Sequence, residues 1–195
     1  MIYPITKFIA APILLIVSGT AFAHTGHMVS GWSAGWMHPF SGLDHMLAML
    51  AVGLWAAQCG GRRVWFLPLA FMSALVAGAA VSMIWQYSMP VLETGIALSV
   101  LAIGLLMALS IRLPVGASMA IAALFGLFHG YAHGLELPES ALPFDYAAGF
   151  LLATASLHIA GIASGIAMRE KYAVFAKISG GAIALSGAGL LVFTA

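Results

Sequence analysis

Apolar residues run through this chain in long, nearly unbroken stretches separated by short polar clusters. Six stretches, near 39–58, 64–85, 90–110, 114–133, 146–168 and 175–194, each approach the ~20 residues that cross a bilayer at 1.5 Å rise per residue. None shows the strict apolar–polar alternation of barrel strands. Lipid cannot satisfy exposed backbone groups, so each stretch is expected to be a helix. A seventh apolar run, MIYPITKFIAAPILLIVSGTAFA, differs in kind. Lys7 sits in its short n-region and Ala21-Phe22-Ala23 ends it as a cleavage site, the layout of a signal peptide over 1–23. The expected fold is all-α: a polytopic membrane bundle of six transmembrane helices, 24–195, behind a cleavable signal peptide.

Composition agrees with that pattern. The 195 residues are 63% hydrophobic and 7% charged, with a mean hydropathy of +1.06. A soluble domain needs roughly a quarter charged residues. A net charge of +1 offers no basic face for nucleic acid. The single cysteine, Cys59, excludes an internal disulfide and any Cys-built zinc or iron–sulfur cage.

Charge also orients the helices. With the mature N-terminus outside, the inner loops 59–63, 111–113 and 169–174 hold Arg62, Arg63, Arg112, Arg169 and Lys171, and Lys177 lies just beyond the third. The outer loops hold Glu136, Glu139 and Asp145 and no Lys or Arg. This is the positive-inside pattern, and it implies a multi-pass protein of a bacterial-type inner membrane with both mature ends outside the cytoplasm. The even count permits division into halves of opposite orientation, 29–113 and 114–195, with Pro39 and Pro114 opening the first helix of each.

Against this apolar background the ionisable residues stand out, because each costs roughly 2.5–3.5 kcal/mol to insert. HPFSGLDH supplies His38, Asp44 and His45 in the first span. On one helix His38 and His45 share a face while Asp44 points about 100° from His45, and Pro39 with Gly42 can loosen that turn. FHGYAHGLE ends the fourth span with His129 and His133 at i, i+4 and Glu136 three residues further along the stripe. Gly126, Gly130 and Gly134 form a small-residue ridge that lets another helix come close. Glu93, at the start of the third span, falls at the same depth. Three helices therefore bring imidazole and carboxylate to one layer, a ligand set for divalent first-row ions. Met46, Met49 and Met89 lie nearby as candidate thioethers, although core filling is the usual role of methionine. His158, alone in the fifth span, reads as a hydrogen-bonded core residue. His24 and His27 form a candidate metal-gathering tail, and Glu139 and Asp145 read as solvated loop charges.

HPFSGLDHMLAM (38–49) and FHGYAHGLE (128–136) resemble the two signature motifs of the HupE/UreJ family of nickel/cobalt permeases. The leader, the His-containing mature N-terminus and the six spans extend the likeness to essentially the whole chain. The resemblance implies uptake of Ni²⁺ or Co²⁺ as substrate, for metalloenzymes such as hydrogenase or urease, with no permanently bound cofactor. It puts the metal site on His38, Asp44, His45, His129, His133 and Glu136, to which depth and charge add Glu93. Other readings are a membrane electron-transfer protein with b-type haem held by His45 and His133, and a metal-binding accessory that transports nothing. No Walker A pattern occurs and nothing marks a nucleophile or substrate pocket, so the chain is not expected to be an enzyme.

Overall fold

A computed structural model describes residues 31–138, 141–171 and 173–194. The expected signal peptide, His24, His27 and Glu139, and the side chains of Arg169 and Lys171, lie outside the described residues. Among those described, every regular element is an α-helix: α1 (Gly31–Ser41), α2 (Leu43–Cys59), α3 (Arg63–Trp85), α4 (Leu92–Ala108), α5 (Val115–Leu135), α6 (Pro143–Lys171) and α7 (Ala173–Thr194). Four of these, α3, α5, α6 and α7, are long and apolar enough to cross a membrane, and α1 with α2 makes a fifth span if the pair counts as one. The remaining helix, α4, has 17 residues and rises roughly 26 Å, a little short of a ~30 Å hydrocarbon core.

The first predicted span needs correction. It reaches back from Pro39 to Gly31, the first described residue, and it is two helices bent by 83°. Pro39 does not open a helix but lies in the last turn of α1, where its ring removes one ladder hydrogen bond. Gly42 then adopts an extended conformation (φ −113°, ψ 124°) that ends α1 and caps α2. The hydroxyl of Ser41 donates to the carbonyl of His38 at 2.6 Å, and Met46 N–H donates to the Gly42 carbonyl at 3.0 Å, so polar groups at the break find partners. His38 and His45 therefore do not lie on one continuous helix face.

The bundle is organised around α2. From Ala48 to Ala57 it is buried on nearly all sides, with Met49, Val52 and Trp55 almost inaccessible. Its principal partner is α6; the other close pairings are α3 with α5 and α4 with α7, and α1 also lies along α6. Bulky side chains face outward instead, among them Ile84, Phe144, Leu185 and Phe193. That inversion suits lipid, where association relies on close packing of small residues rather than on hydrophobic burial. SGGAIALSGAG (179–189) provides such a surface: Gly180 and Gly187 of α7 press on α4 so closely that a Cβ at either would strike its backbone.

The two ends of the bundle differ in chemistry. At one end Gln58 Nε2 donates to the Met107 carbonyl at 2.9 Å and Arg63 Nη2 to the Leu113 carbonyl at 3.0 Å. That end carries the arginines. The break at Gly42 and the end of α5 lie at the other, with the histidines.

Candidate metal centre

Two segments distant in sequence form the site. The end of α1 and the start of α2 present His38, Asp44 and His45; the end of α5 presents His129, His133 and Glu136. The bend at Gly42 turns His38 back over His45, their ring centroids 6.2 Å apart. On α5 the helical repeat stacks His129 and His133 on one face, and Glu136 follows at the C-cap.

These groups meet around His133. Its ring lies 4.7 Å from that of His38 and 4.4 Å from that of His45. Glu136 Oε2 accepts a hydrogen bond from His38 Nε2 at 3.1 Å and lies 3.4 Å from His133 Nδ1. One donor atom each from His38, His133 and Glu136 falls within a sphere where all are 4.8 Å or less apart, so a single ion can contact all three after a small closure. The imidazoles of His133 and His38 beside Glu136 hold its carboxyl well below the usual carboxylate range. A group 44% exposed thus stays anionic at the mouth.

Below this trio the site becomes dry. The rings of His45 and His129 are 5.4 Å apart, and both residues are buried. His129 Nδ1 donates to the Phe125 carbonyl at 2.9 Å; a carbonyl only accepts, so the proton sits on Nδ1 and Nε2 keeps its lone pair. That Nε2, Nε2 of His133 and Nδ1 of His45 have no hydrogen-bond partner, while Nδ1 of His133 faces the Glu136 carboxylate. Buried polar atoms are normally paired, and three unpaired imidazole nitrogens in one cluster suit a binding site better than a packed core.

The remaining expected residues lie at the rim. Asp44 Oδ2 is 3.9 Å from His45 Nε2, and Asp44 is outside the three-donor group. Glu93 is exposed in the first turn of α4, also outside that group; its electrostatic neighbours are Asp44 and Glu136. Glu93 thus lies within electrostatic reach of the carboxylates of Asp44 and Glu136.

Two features were not anticipated from sequence. The ridge Gly126, Gly130 and Gly134 does not admit the opposite wall of the site; it seats α5 on α3, where a Cβ on Gly130 would strike the Leu75 carbonyl. The third wall comes from α6. Phe150 lies 4.2 Å from the His133 ring and Tyr146 5.8 Å from that of His38. The available signal was the i, i+4 stripe Tyr146, Phe150, Thr154 and His158, all buried on one face of α6.

Comparison with known proteins finds relatives along nearly the whole chain. Residues 12–190 match the family model described as HupE / UreJ protein. The chain is similar to Protein HupE of Rhizobium leguminosarum bv. viciae, 44% identical over 189 residues that cover 96% of this chain and 97% of the relative. No solved structure matches the chain.

Proposed function

The chain belongs to the HupE/UreJ family, and from that premise we propose that it is a membrane permease taking up Ni²⁺ or Co²⁺ for metalloenzymes such as hydrogenase or urease. The observation that carries this reading is the convergence of His38, His133 and Glu136 donor atoms within 4.8 Å from two separate segments. Imidazole with carboxylate suits these ions, and the site lies in a bundle whose other walls face lipid.

In this mechanism the carboxylates of Glu136, Asp44 and Glu93 gather a hydrated dication at the outer face. The ion exchanges water for His38, His133 and Glu136, and then for the drier imidazoles of His45 and His129. The arginines at the opposite end support the orientation of an inner-membrane protein with this mouth outside. Six spans, counting α1 with α2 as one and α4 as another, complete the topology. Exchange of α2, α3 and α4 with α5, α6 and α7 turns the pairings α2 with α6, α3 with α5 and α4 with α7 into one another, which supports inverted halves for these three contacts.

Radiolabelled Ni²⁺ and Co²⁺ uptake by cells carrying the chain tests the proposal. His133→Ala should abolish uptake, at least about a hundredfold, because it removes the ring that lies against His38, His45 and Glu136. Asp44→Ala should reduce it by about tenfold or more. If both variants take up metal like the parent, this centre is not the transport site.

A non-transporting metal-binding accessory is the second reading, favoured by the same donors. Metal flux into proteoliposomes separates the two. Haem ligation fits poorly: with His45 and His133 ring centroids 4.4 Å apart, a porphyrin has no room between them.

A further inference from the structure

The α6 stripe continues below the outer cluster and ends in His158. Its position in the fifth span suggested a hydrogen-bonded core residue, yet neither ring nitrogen has a hydrogen-bond partner. It is 1% exposed. A neutral imidazole carries one N–H and one lone pair, and an apolar residue of similar size would fill this place without stranding either. Its setting is rigid: Gly53 of α2 packs on the His158 backbone so tightly that a Cβ there would strike the His158 carbonyl.

What surrounds His158 points to a ligand. The Phe71 ring lies 5.3 Å from His158 and 5.4 Å from His129, so one phenyl ring stands beside both imidazoles. His129 Nε2 is a buried lone pair without a partner. One turn above His158, Thr154 Oγ1 donates to the Met49 sulfur at 3.4 Å, which fixes a fully buried thioether against the same face of α6. No carboxylate lines this level among the described residues.

We propose that His129 Nε2, His158 and the Met49 thioether form an inner station that receives the dication from the outer cluster and selects it by ligand softness. The inference rests on the permease reading above. The outer mouth offers carboxylates, which any divalent ion accepts. The inner level offers only nitrogen and sulfur, which Ni²⁺ and Co²⁺ accept and which Mg²⁺, Ca²⁺ and Mn²⁺ take poorly. Hard ions therefore stop at the mouth. Phe71 lies beside both imidazoles as an apolar side of the station, and the ion enters from the outer cluster through His129, which the two sites share.

The test uses the full chain in proteoliposomes, with Ni²⁺, Co²⁺ and Mn²⁺ as separate probes. His158→Phe keeps the volume and removes the ligand. It should bind Co²⁺ at the outer cluster within about threefold of the parent while Ni²⁺ and Co²⁺ flux falls at least about tenfold. Met49→Leu should retain more flux and discriminate less against Mn²⁺. Parent flux with an equally active His158→Phe overturns the station and leaves the permease reading standing. Loss of outer binding in step with flux also overturns it, since His158 then only supports the outer cluster. No flux from the parent chain removes both readings together. Should His158→Phe fail to fold, anomalous scattering from Co²⁺-loaded crystals of the parent decides. A peak between the His129 and His158 rings supports the station, and its absence overturns it.

Discussion

The two principal walls of the candidate metal centre carry the same chemistry on opposite kinds of backbone. The α1–α2 wall is broken: Pro39 and Gly42 interrupt the ladder, and an 83° bend brings His38 over His45. The α5 wall is an unbroken helix that presents His129 and His133 by its own repeat. A continuous helix can align histidines only along its axis, one beneath another. Two such helices give two parallel rows. The bend makes the first row fold across the second, so that His38 reaches both His133 and Glu136. The site needs one wall of each kind.

Glycine serves the two walls differently, and substituting it separates them. The largest effect is expected for Gly130→Ala. Its Cβ would meet the Leu75 carbonyl, backbone of α3, which has nowhere to go. Forcing such a contact costs about 1–3 kcal/mol or more, so unfolding in detergent should come markedly earlier and little folded protein should accumulate. Uptake per folded molecule should change less than the amount of protein.

Gly42→Ala should give the reverse result. The extended conformation at Gly42 is open to alanine, and the nearest atoms are side chains, Asp44 Oδ1 at 2.7 Å and His45 Cδ2 at 3.1 Å. These can swing aside, so stability should change by less than about 1 kcal/mol. The displaced groups belong to the site, however, and uptake should fall about tenfold. If Gly42→Ala unfolds the protein while Gly130→Ala only slows uptake, the division of labour between the walls is the wrong way round.

How much of this was legible in the sequence follows from the same contrast. A helix repeat is local, so the His129–His133–Glu136 stripe and its glycine ridge could be read from FHGYAHGLE alone. Depth was also legible, because charge and span length place both motifs near one surface. The partner of each face was not. The ridge at Gly126, Gly130 and Gly134 implies close approach, but only the pairing of α3 with α5 decides what approaches. The bend was half legible: Pro39 and Gly42 signalled a weak ladder, while its angle comes from α1 packing along α6. The wall from α6 was missed because Tyr146 and Phe150 are ordinary apolar-span residues until a histidine lies against them.

Acid sharpens the comparison at Glu136, where the walls meet. Its carboxyl titrates below the ordinary range in the folded protein because of His133 and His38, so its stabilising contribution is complete above the unfolded carboxylate pKa near 4.3 and is lost only as pH falls below it. Between pH 7 and 5 Glu136 stays ionised. Neutral imidazole is the ligand form, so uptake should drop on acidification once protons compete with the metal for the histidines. Glu136→Gln should therefore raise the metal concentration needed for half-maximal uptake by about three- to tenfold and leave the pH midpoint in place. A midpoint that moves with this substitution would assign the titration to the carboxylate. Uptake that rises steadily to pH 5 would remove histidine from the ligand set.

The smallest effect is expected at Gly181 in α7, and it calibrates the two glycine substitutions above. A Cβ there meets nothing within 4 Å, unlike that at neighbouring Gly180, which would press on α4. With no contact to break, Gly181→Ala should retain only the backbone-entropy gain of alanine in a helix, a stabilisation of about 0.5–1 kcal/mol. Uptake should match the parent within error. A loss of stability at Gly181 comparable to that at Gly130 would show that glycine serves the bundle through something other than close approach, and the reading of the α5 ridge would have to change with it.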